Sequence, residues 1–478
     1  VQVLSETPPP RSSPCWGGAV LEERPAIGPV ELTMRDALLL MIIAAALLAA
    51  LRYPFAGMLV WAWFSLMTPH QMAFGVFGLQ LNLIIAAVTI LALFINGEAF
   101  RFRFDAITAW LLAVMFWLFV SQAASLDPQH SAEYSDRFTK ILLFVILCVQ
   151  TATSRFRLHA LIWIFVLTIG YFAAKGAIFT IVTLGEFRVQ GVPNTILEDN
   201  NHMGIAIATS LPMMLYLRSV AAKRWVKTGL GVLFALSIFA IIGTQSRGAF
   251  ISLIAFGGFF WWKSRNKAAI AAAAILLALP AIAFMPSKWT ERMSTISAAG
   301  EDDSFMGRVD AWVINTKFAL QHPLTGAGLR NPYQQDLAEK VDPIRAPRAK
   351  AAHSIYFEML GGAGFVGLAL YLGLLATAYF TANRLYREGS TAASTPWRSR
   401  LGYYGQISLV VFGVGGASTS LEMWDGYLVI VACIAAASKL PKSGEKAVQA
   451  ACKSLKGWRM GARGSPLPAF GKDVSSIR

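Results

Sequence analysis

The chain has 478 residues, of which 55% are hydrophobic and 14% are charged. A soluble protein of this size would carry roughly a quarter charged residues, so the composition argues against a large soluble core and indicates a polytopic membrane protein. The formal net charge is +15, but the basic residues lie in short clusters between apolar runs and in the C-terminal tail. This is the positive-inside pattern of membrane proteins, and we expect no nucleic-acid partner.

Residues 1–33 differ from the rest of the chain because they are rich in Pro, Ser and Glu. They lack the order of a cleaved signal peptide, which is a basic stretch followed by an apolar stretch and small residues. Met34 directly precedes the first long apolar run and would be a more natural start than Val1. We therefore interpret 1–33 as a disordered extension or as the product of a mis-called start.

Apolar runs able to cross a bilayer of about 30 Å recur along the rest of the chain. They show no period-two alternation, so they predict helices and not the strands of a membrane barrel. The predicted fold class is all-α, with about 12–13 transmembrane helices and one long outer loop. The predicted spans are 36–51, 54–67, 82–95, 106–124, 138–151, 159–184, 202–217, 226–242, 248–262, 268–285, 354–381, 402–419 and 425–438.

Charge asymmetry orients these spans. Basic clusters fall on alternate connections, and the segment after residue 439 is also strongly basic, so the rule for loop charges places all of them in the cytoplasm. The expected organisation is a membrane bundle at 34–285, a long periplasmic loop at 286–353, C-terminal membrane helices at 354–438 and a basic tail at 439–478 near anionic lipid. The other outward connections would be 68–81, 125–137, 185–201, 243–247 and 420–424.

Few basic residues occur in the short outward connections, so those present are candidates for function. Arg188 is one, and Arg247 lies in a connection so short that its side chain must be close to two spans. A guanidinium suits phosphate oxygens bidentately, although each arginine could instead snorkel, cap a helix or pair with an acid. Arg137 has Glu133 and Asp136 within reach, which favours pairing.

Other polar residues have more than one interpretation. Lys175 lies well inside a predicted span, where a charge is costly and usually faces a cavity or a partner. The dense polar cluster Ile196–His202 could cap the next helix through Asn200 or Asn201, recognise sugar, or orient an arginine through Glu198 or Asp199. No second set of residues at metal-ligand spacing accompanies it, so we predict no metal site.

His353 opens the apolar run that follows the long loop. A neutral imidazole there could accept a proton from an attacking hydroxyl, whereas a lone histidine at a helix start is more often a cap or a surface residue. His322 is followed by Pro323 and Gly326 and is predicted to be a turn residue.

The order of these motifs resembles a known superfamily, which includes the bacterial O-antigen ligases, the O-antigen polymerases and the protein O-oligosaccharyltransferases. The N-terminal half is similar to the O-glycosylation ligases that accompany exosortase A systems. The first resemblance is carried by Arg188 with Gly191, Ser246-Arg247-Gly248, Gly307-Arg308 before Trp312, the run Pro323–Leu329 and His353; the second by Arg52–Gly57, Trp61–Ser65, Thr68–His70 and Ile196–Asn201.

The resemblance implies a metal-independent, inverting glycan transferase without a cofactor in the bacterial inner membrane. On the periplasmic face it would move an oligosaccharide or polysaccharide from undecaprenyl pyrophosphate to a hydroxyl of a protein, a lipid or a glycan. It implies that Arg188 and Arg247 hold the pyrophosphate, that His353 works beside Arg247 at the catalytic centre, and that Arg308 binds substrate. Lys175, Asn200 and Asn201 are further candidates for substrate contact.

Three alternatives remain open at this point. A polymerase that extends an O-antigen or exopolysaccharide would use the same donor and differ only in acceptor. A transporter or flippase of lipid-linked glycans would show internal pseudo-symmetry and paired broken helices, which the sequence does not display. A non-enzymatic assembly component would tolerate alanine at Arg188, Arg247 and His353.

Overall fold

The computed structural model describes residues 33–72, 80–98, 102–264, 266–269, 271–272, 275–276, 303–391 and 396–440. All regular structure in these ranges is helical, which confirms the predicted all-α fold class. The predicted extension before residue 33, most of the predicted span 268–285 and the basic tail after residue 440 lie outside the described residues.

The α-helices, numbered in chain order, are α1 (Met34–Arg52), α2 (Pro54–Met67), α3 (Leu81–Ile95), α4 (Ala106–Ala123), α5 (Pro128–Thr151), α6 (Arg155–Val182), α7 (Asn200–Val220), α8 (Arg224–Gly243), α9 (Arg247–Lys263), α10 (Asp303–Gln321), α11 (Gln335–Val341), α12 (Ile355–Thr391), α13 (Pro396–Gly416) and α14 (Asp425–Lys439).

Among the described helices, α1, α4, α6, α7, α8 and α12 are long and apolar enough to cross a membrane, and α2 and α3 are shorter apolar helices. The remaining predicted spans in the described part of the chain coincide with α5, α9, α13 and α14, which are shorter or more polar. Most boundaries agree with the sequence. The largest differences are at α12, which ends about ten residues after its predicted span, and at α5, which begins about ten residues before its predicted span. Helix α5 starts early because Asp127 accepts hydrogen bonds from the backbone of Gln129 and His130 and Pro128 occupies the first helical position.

Helix α14 lies at the centre of the bundle. Its residues from Asp425 to Ala437 are all buried, and it packs against α5, α6, α12 and α13. A helix that is apolar on nearly every side can be surrounded by lipid or by protein, and here other helices enclose it. Its four alanines near the C-terminal end allow the neighbouring helices to approach closely. The segment that enters α14 is therefore held inside the protein.

The bundle has two chemically different ends. One end holds basic residues, with Arg157 paired to Glu98 at 2.9 Å and Lys439 paired to Asp105 at 3.2 Å. The other end gathers the starts of α5, α7, α9, α12 and α14, and we call it the site end. The sequence places the site end outside the cytoplasm, which stays a prediction.

The described part of the long loop, residues 303–353, contains two helices where the sequence predicts a polar loop. Ile314 and Phe318 lie one turn apart on α10 and share a small buried cluster with Leu337 of α11, together with Ala327, Ala338 and Ala346. Helix α10 also packs against α12. The segment is therefore a small helical layer with its own apolar core, built against the site end.

Helix α12 is interrupted near its start. Gly364 has φ 74° and ψ −175°, a conformation that residues with a side chain essentially do not adopt. The backbone of the run Pro323–Leu329 fills the break: Phe365 N donates to Pro323 O at 2.9 Å, Ala327 N donates to Gly361 O at 2.8 Å, and Gly328 N donates to Gly362 O at 3.0 Å. The glycine-rich run thus satisfies carbonyls that the break releases and fixes the first turns of α12.

Candidate functional site

Two connections at the site end lie against each other and carry the predicted arginines. Val189 N donates to Gly243 O at 2.9 Å, and the side chain of Gln245 donates to the backbone of the connection after α6 at 2.9 Å. Arg188 is exposed on the first connection, and Arg247 is half-buried as the first residue of α9. The fold therefore brings these two arginines to neighbouring loops, as two groups that share one anion require.

Asn200 and Asn201 hold the connection that carries Arg247. Asn200 Nδ2 donates to Thr244 O at 2.7 Å, and Ser246 Oγ donates to Asn201 Oδ1 at 2.7 Å. Ser246 in turn caps α9 by accepting from Ala249 N at 3.1 Å. The start of α7 and the start of α9 are thus joined, so both asparagines have positioning roles. Their predicted contact with substrate stays a prediction.

The acidic residues before α7 have distinct partners. Asp199 is the residue that caps α7, because its side chain accepts from Asn201 N at 2.8 Å; the alternative that Asn200 or Asn201 caps this helix is wrong. Asp199 also accepts from the side chain of Asn201 at 2.8 Å. Glu198 instead accepts from Asn194 N at 2.9 Å and so orders the preceding turn.

His353 is held in place from both sides. Trp312 Nε1 donates to Ala352 O at 2.7 Å, and the Trp312 ring stacks on Phe357 with centroids 5.1 Å apart and an interplanar angle of 8°. The carboxylate of Glu358 accepts from the backbone N–H groups of Ala352 and His353. His353 has φ 47°, a left-handed conformation that is uncommon for a side-chain-bearing residue. The ring is therefore positioned by surrounding structure and does not extend freely into solvent.

A second histidine lies beside His353. The ring centroids of His202 and His353 are 6.4 Å apart, and His202 Nδ1 is 2.8 Å from Ile196 O. His202 Nε2 and His353 Nδ1 are both buried and have no hydrogen-bond partner among the described residues. Most buried polar atoms are hydrogen-bonded, so this pair indicates a place for a polar group of a substrate. We did not predict His202 as a site residue, although it ends the polar cluster at the start of α7.

Burial and nearby charge keep the His353 ring neutral. Burial lowers its pKa most, and Arg308, His202 and Lys350 lower it further, to about 3, against an opposing effect of Asp199 that is weaker than those of Arg308 and His202. The pKa of Asp199 is itself lowered: burial opposes its ionisation, but the nearby His202 and the hydrogen bonds from Asn201 outweigh burial. At neutral pH the site thus combines a carboxylate, a neutral His353 and an arginine.

Arg308→Gln should raise the pKa of His353 toward its ordinary value, because a positive charge that disfavours the imidazolium is removed. The check is an NMR titration of the protein labelled at its histidine rings, with the His353 signal identified by its absence in His353→Gln. Arg224→Gln, which changes an exposed arginine at the opposite end of the bundle, serves as the control. An unchanged His353 titration in Arg308→Gln would show that the two groups do not interact.

A buried charge cluster lies behind the histidines, and the sequence did not predict it. Arg330 NH1 is 3.2 Å from Glu358 Oε2, and Arg330 NH2 is 2.5 Å from Glu422 Oε1. The rings of Tyr134 and Tyr333 lie 5.8 and 5.1 Å from its guanidinium carbon. Because Glu358 also accepts from the backbone of His353, this cluster supports the turn that presents the His353 ring.

For Arg137 and Lys175, the structure shows surroundings that differ from those the sequence predicted. Arg137 makes no ion pair with a described acid; Asp136 pairs with Lys140 at 2.5 Å instead, and Arg137 lies in the fields of Arg330 and Asp425. Lys175 is exposed on α6, and it shares a face with the exposed Tyr171, Ile178 and Phe179. The structure does not bring Lys175 into contact with the other candidates in the described part of the chain, so its role stays a prediction.

Within the described residues, no group of three His, Cys, Asp or Glu side chains lies close enough together to hold a metal ion.

Comparison with known proteins divides the chain into two matched regions. Residues 232–372 match the family described as O-antigen ligase, and residues 34–222 match a family of unknown function (DUF5935). No curated protein matches the chain. The first region contributes Arg247, Arg308 and His353 to the site, and the second contributes Arg188 and His202, so the site is assembled from both.

Proposed function

We propose that the chain is a glycan transferase of the O-glycosylation ligase type, because residues 232–372 match the O-antigen ligase family. It acts at the periplasmic face of the bacterial inner membrane. The donor is an oligosaccharide or polysaccharide on undecaprenyl pyrophosphate, and the acceptor is a hydroxyl of a protein, a lipid or a glycan. The proposal that the chain belongs with the exosortase-associated ligases rests on the sequence resemblance alone.

The observation that carries this proposal is the meeting of arginines and an open, neutral histidine at one end of an apolar bundle. Arg188 and Arg247 lie on connections joined by a backbone hydrogen bond. Arg308 acts electrostatically on His353, whose Nδ1 is buried and unpartnered among the described residues. A lipid-linked pyrophosphate needs cations at the membrane surface, and a reacting hydroxyl needs a neutral hydrogen-bonding group beside them.

The chemistry assigns the arginines to the leaving group. Negative charge on the pyrophosphate grows as the bond between the sugar C1 and its oxygen breaks. Fixed guanidinium groups in a site of low dielectric stabilise that charge more in the transition state than in the bound donor. Arg247 is better placed for this than an arginine on a long loop, because Asn200, Asn201 and Ser246 fix its backbone.

The histidine serves the acceptor. His353 is neutral at the pH of the periplasm, so its ring can bind the acceptor hydroxyl and orient its lone pair toward C1. Attack from the face opposite the pyrophosphate inverts the anomeric configuration. The polyprenyl chain would remain among the apolar helices, while the helical layer of α10 and α11 covers the polar site.

Glycan transfer in inner-membrane vesicles tests the proposal. The vesicles would receive an undecaprenyl-pyrophosphate-linked oligosaccharide with lipid A core, a hydroxyl-rich secreted protein or the glycan itself as acceptor. Arg247→Ala and His353→Ala should each lower transfer by about 100-fold or more, which is the usual cost of removing one charge-stabilising or proton-handling group. Arg224→Ala should transfer like the wild type, and a chelator should have no effect.

Each outcome discriminates between activities. Transfer to protein or lipid supports a ligase, whereas lengthening of the glycan supports a polymerase that uses the same donor. Transfer unaffected by either substitution would remove these residues from the site. Movement of the lipid-linked glycan between leaflets, without transfer to any acceptor, would identify a transporter.

A further inference from the structure

His202 has one nitrogen occupied and one open. Its Nδ1 lies 2.8 Å from Ile196 O, and a carbonyl oxygen can only accept, so Nδ1 carries the proton. In the neutral ring the lone pair is then on Nε2, which is buried and has no hydrogen-bond partner among the described residues. The backbone of the preceding turn therefore fixes His202 in the tautomer that a proton acceptor requires.

The ring of His353 lies beside the ring of His202, and each ring has one open nitrogen. The ring centroids are 6.4 Å apart with an interplanar angle of 51°, and His353 Nδ1 is likewise buried and unpartnered within the described residues. One hydroxyl oxygen can join two such nitrogens through hydrogen bonds of about 2.8 Å each. The two rings belong to different matched regions of the chain, so the pair forms only in the folded protein.

Burial opposes a positive charge on both rings most strongly, but the charges around the two rings differ. At His353, Arg308, His202 and Lys350 add to the effect of burial, and Asp199 opposes them. At His202, Asp199 lies one helical turn earlier and is the strongest charged neighbour, so it offsets part of the effect of burial. Arg330 opposes this more weakly, and Glu358 supports it. Of the two histidines, His202 is therefore better placed to become an imidazolium during the reaction.

We propose that His202 is a catalytic residue that accepts the proton of the acceptor hydroxyl, and that His353 is the second contact that orients this hydroxyl. The proposal rests on the proposed function and assigns roles within that site. The acceptor oxygen forms a bond to the sugar C1, and the bond from C1 to the pyrophosphate oxygen breaks, with its electron pair leaving on the lipid pyrophosphate. The hydroxyl proton passes to His202 Nε2, Asp199 stabilises the imidazolium, and the proton is later released to the departing pyrophosphate or to water.

His202→Asn is the sharpest variant, because the asparagine amide can keep the hydrogen bond to Ile196 O while it removes the basic nitrogen. Its transfer rate should fall by about 10²–10⁴-fold, the usual contribution of a general base, while binding of the undecaprenyl-pyrophosphate-linked oligosaccharide is unchanged. In His202→Ala, added imidazole should restore part of the lost rate, since it can enter the vacated space and supply the lone pair. His322→Asn, at a half-buried histidine after α10, should behave like the wild type.

The outcomes separate this inference from the proposed function. Transfer by His202→Asn within twofold of the wild type, with Arg247→Ala and His353→Ala inactive, overturns the role of His202 and leaves the transferase. Loss of donor binding in His202→Asn, or no rescue of His202→Ala by imidazole, shows a structural role and also overturns it. Absence of transfer by the wild-type protein with every acceptor overturns both proposals.

Discussion

Replacing Gly364 by alanine is expected to remove most folded protein from the membrane. Gly364 combines φ 74° with ψ −175°, a conformation that costs a residue with a side chain about 1–3 kcal/mol. A Cβ there would also collide with the carbonyl of Leu324 and the amide of Gly326, and overpacking typically adds about 1–3 kcal/mol. Both collisions involve backbone atoms of the run that fills the break in α12, so no side-chain rotation can relieve them.

The measurement is the yield of detergent-extracted protein and its midpoint of thermal aggregation. Gly257→Ala is the matched control, because a Cβ at Gly257 in α9 meets no described atom within 4 Å, and alanine favours a helix interior by about 0.5–1 kcal/mol. Gly257→Ala should therefore be at least as stable as the wild type. Normal yield and an unchanged midpoint for Gly364→Ala would mean that the helix break is not required by the fold.

The break in α12 and the run that fills it show what the sequence could and could not reveal about the fold. Apolar runs predicted the positions of most helices, and the predicted span 54–67 has the same bounds as α2. A helix that crosses lipid must be both apolar and long enough, so composition and length together locate it in the sequence. The motif Pro323–Leu329 was recognised only as a pattern. Its role depends on hydrogen bonds to Gly361 and Gly362, and no local propensity encodes pairing between segments that lie more than thirty residues apart.

The residues of the candidate site also differ in how clearly the sequence predicted them. Arg247 could be selected because basic residues are rare in the short outward connections, and His353 because the family resemblance assigns it to the catalytic centre. His202 carried a weaker signal, since it follows Asn201 in a polar cluster that also caps a helix. Arg330 gave no usable signal, because its partners Glu358 and Glu422 are distant in sequence and lie together only after the helices pack.

Arg330→Gln is expected to be the most destabilising charge substitution in the described part of the site. The wild-type guanidinium lies between Glu358 and Glu422, and all three side chains are at most 10% exposed. Removing one partner of a buried ion pair typically costs about 3–5 kcal/mol, because an uncompensated charge remains. Adding Glu358→Gln and Glu422→Gln to this variant should recover much of the stability, since no buried charge is then left.

The pH dependence of stability reports the same interaction. Burial raises the pKa of Glu422 to about 7 in spite of Arg330, so the folded state binds a proton more tightly than the unfolded state. Between the ordinary glutamate pKa and about 7, this group therefore makes the protein less stable as pH rises. Removing Arg330 raises the pKa of Glu422 further, so the penalty in Arg330→Gln should extend to higher pH, and the triple variant should lose it.

Thermal midpoints at pH 5.5 and pH 8 for the wild type, Arg330→Gln and the triple variant provide the test. Arg384→Gln is the control, because Arg384 forms an exposed pair with Glu388 one turn away, and such pairs contribute at most about 1 kcal/mol. Equal midpoints for Arg330→Gln and the wild type at pH 8 would show that the cluster does not hold a buried ion pair. If instead the triple variant is stable but its glycan transfer is lost, the cluster acts mainly by positioning His353 through Glu358, and stability and function at this site can be separated.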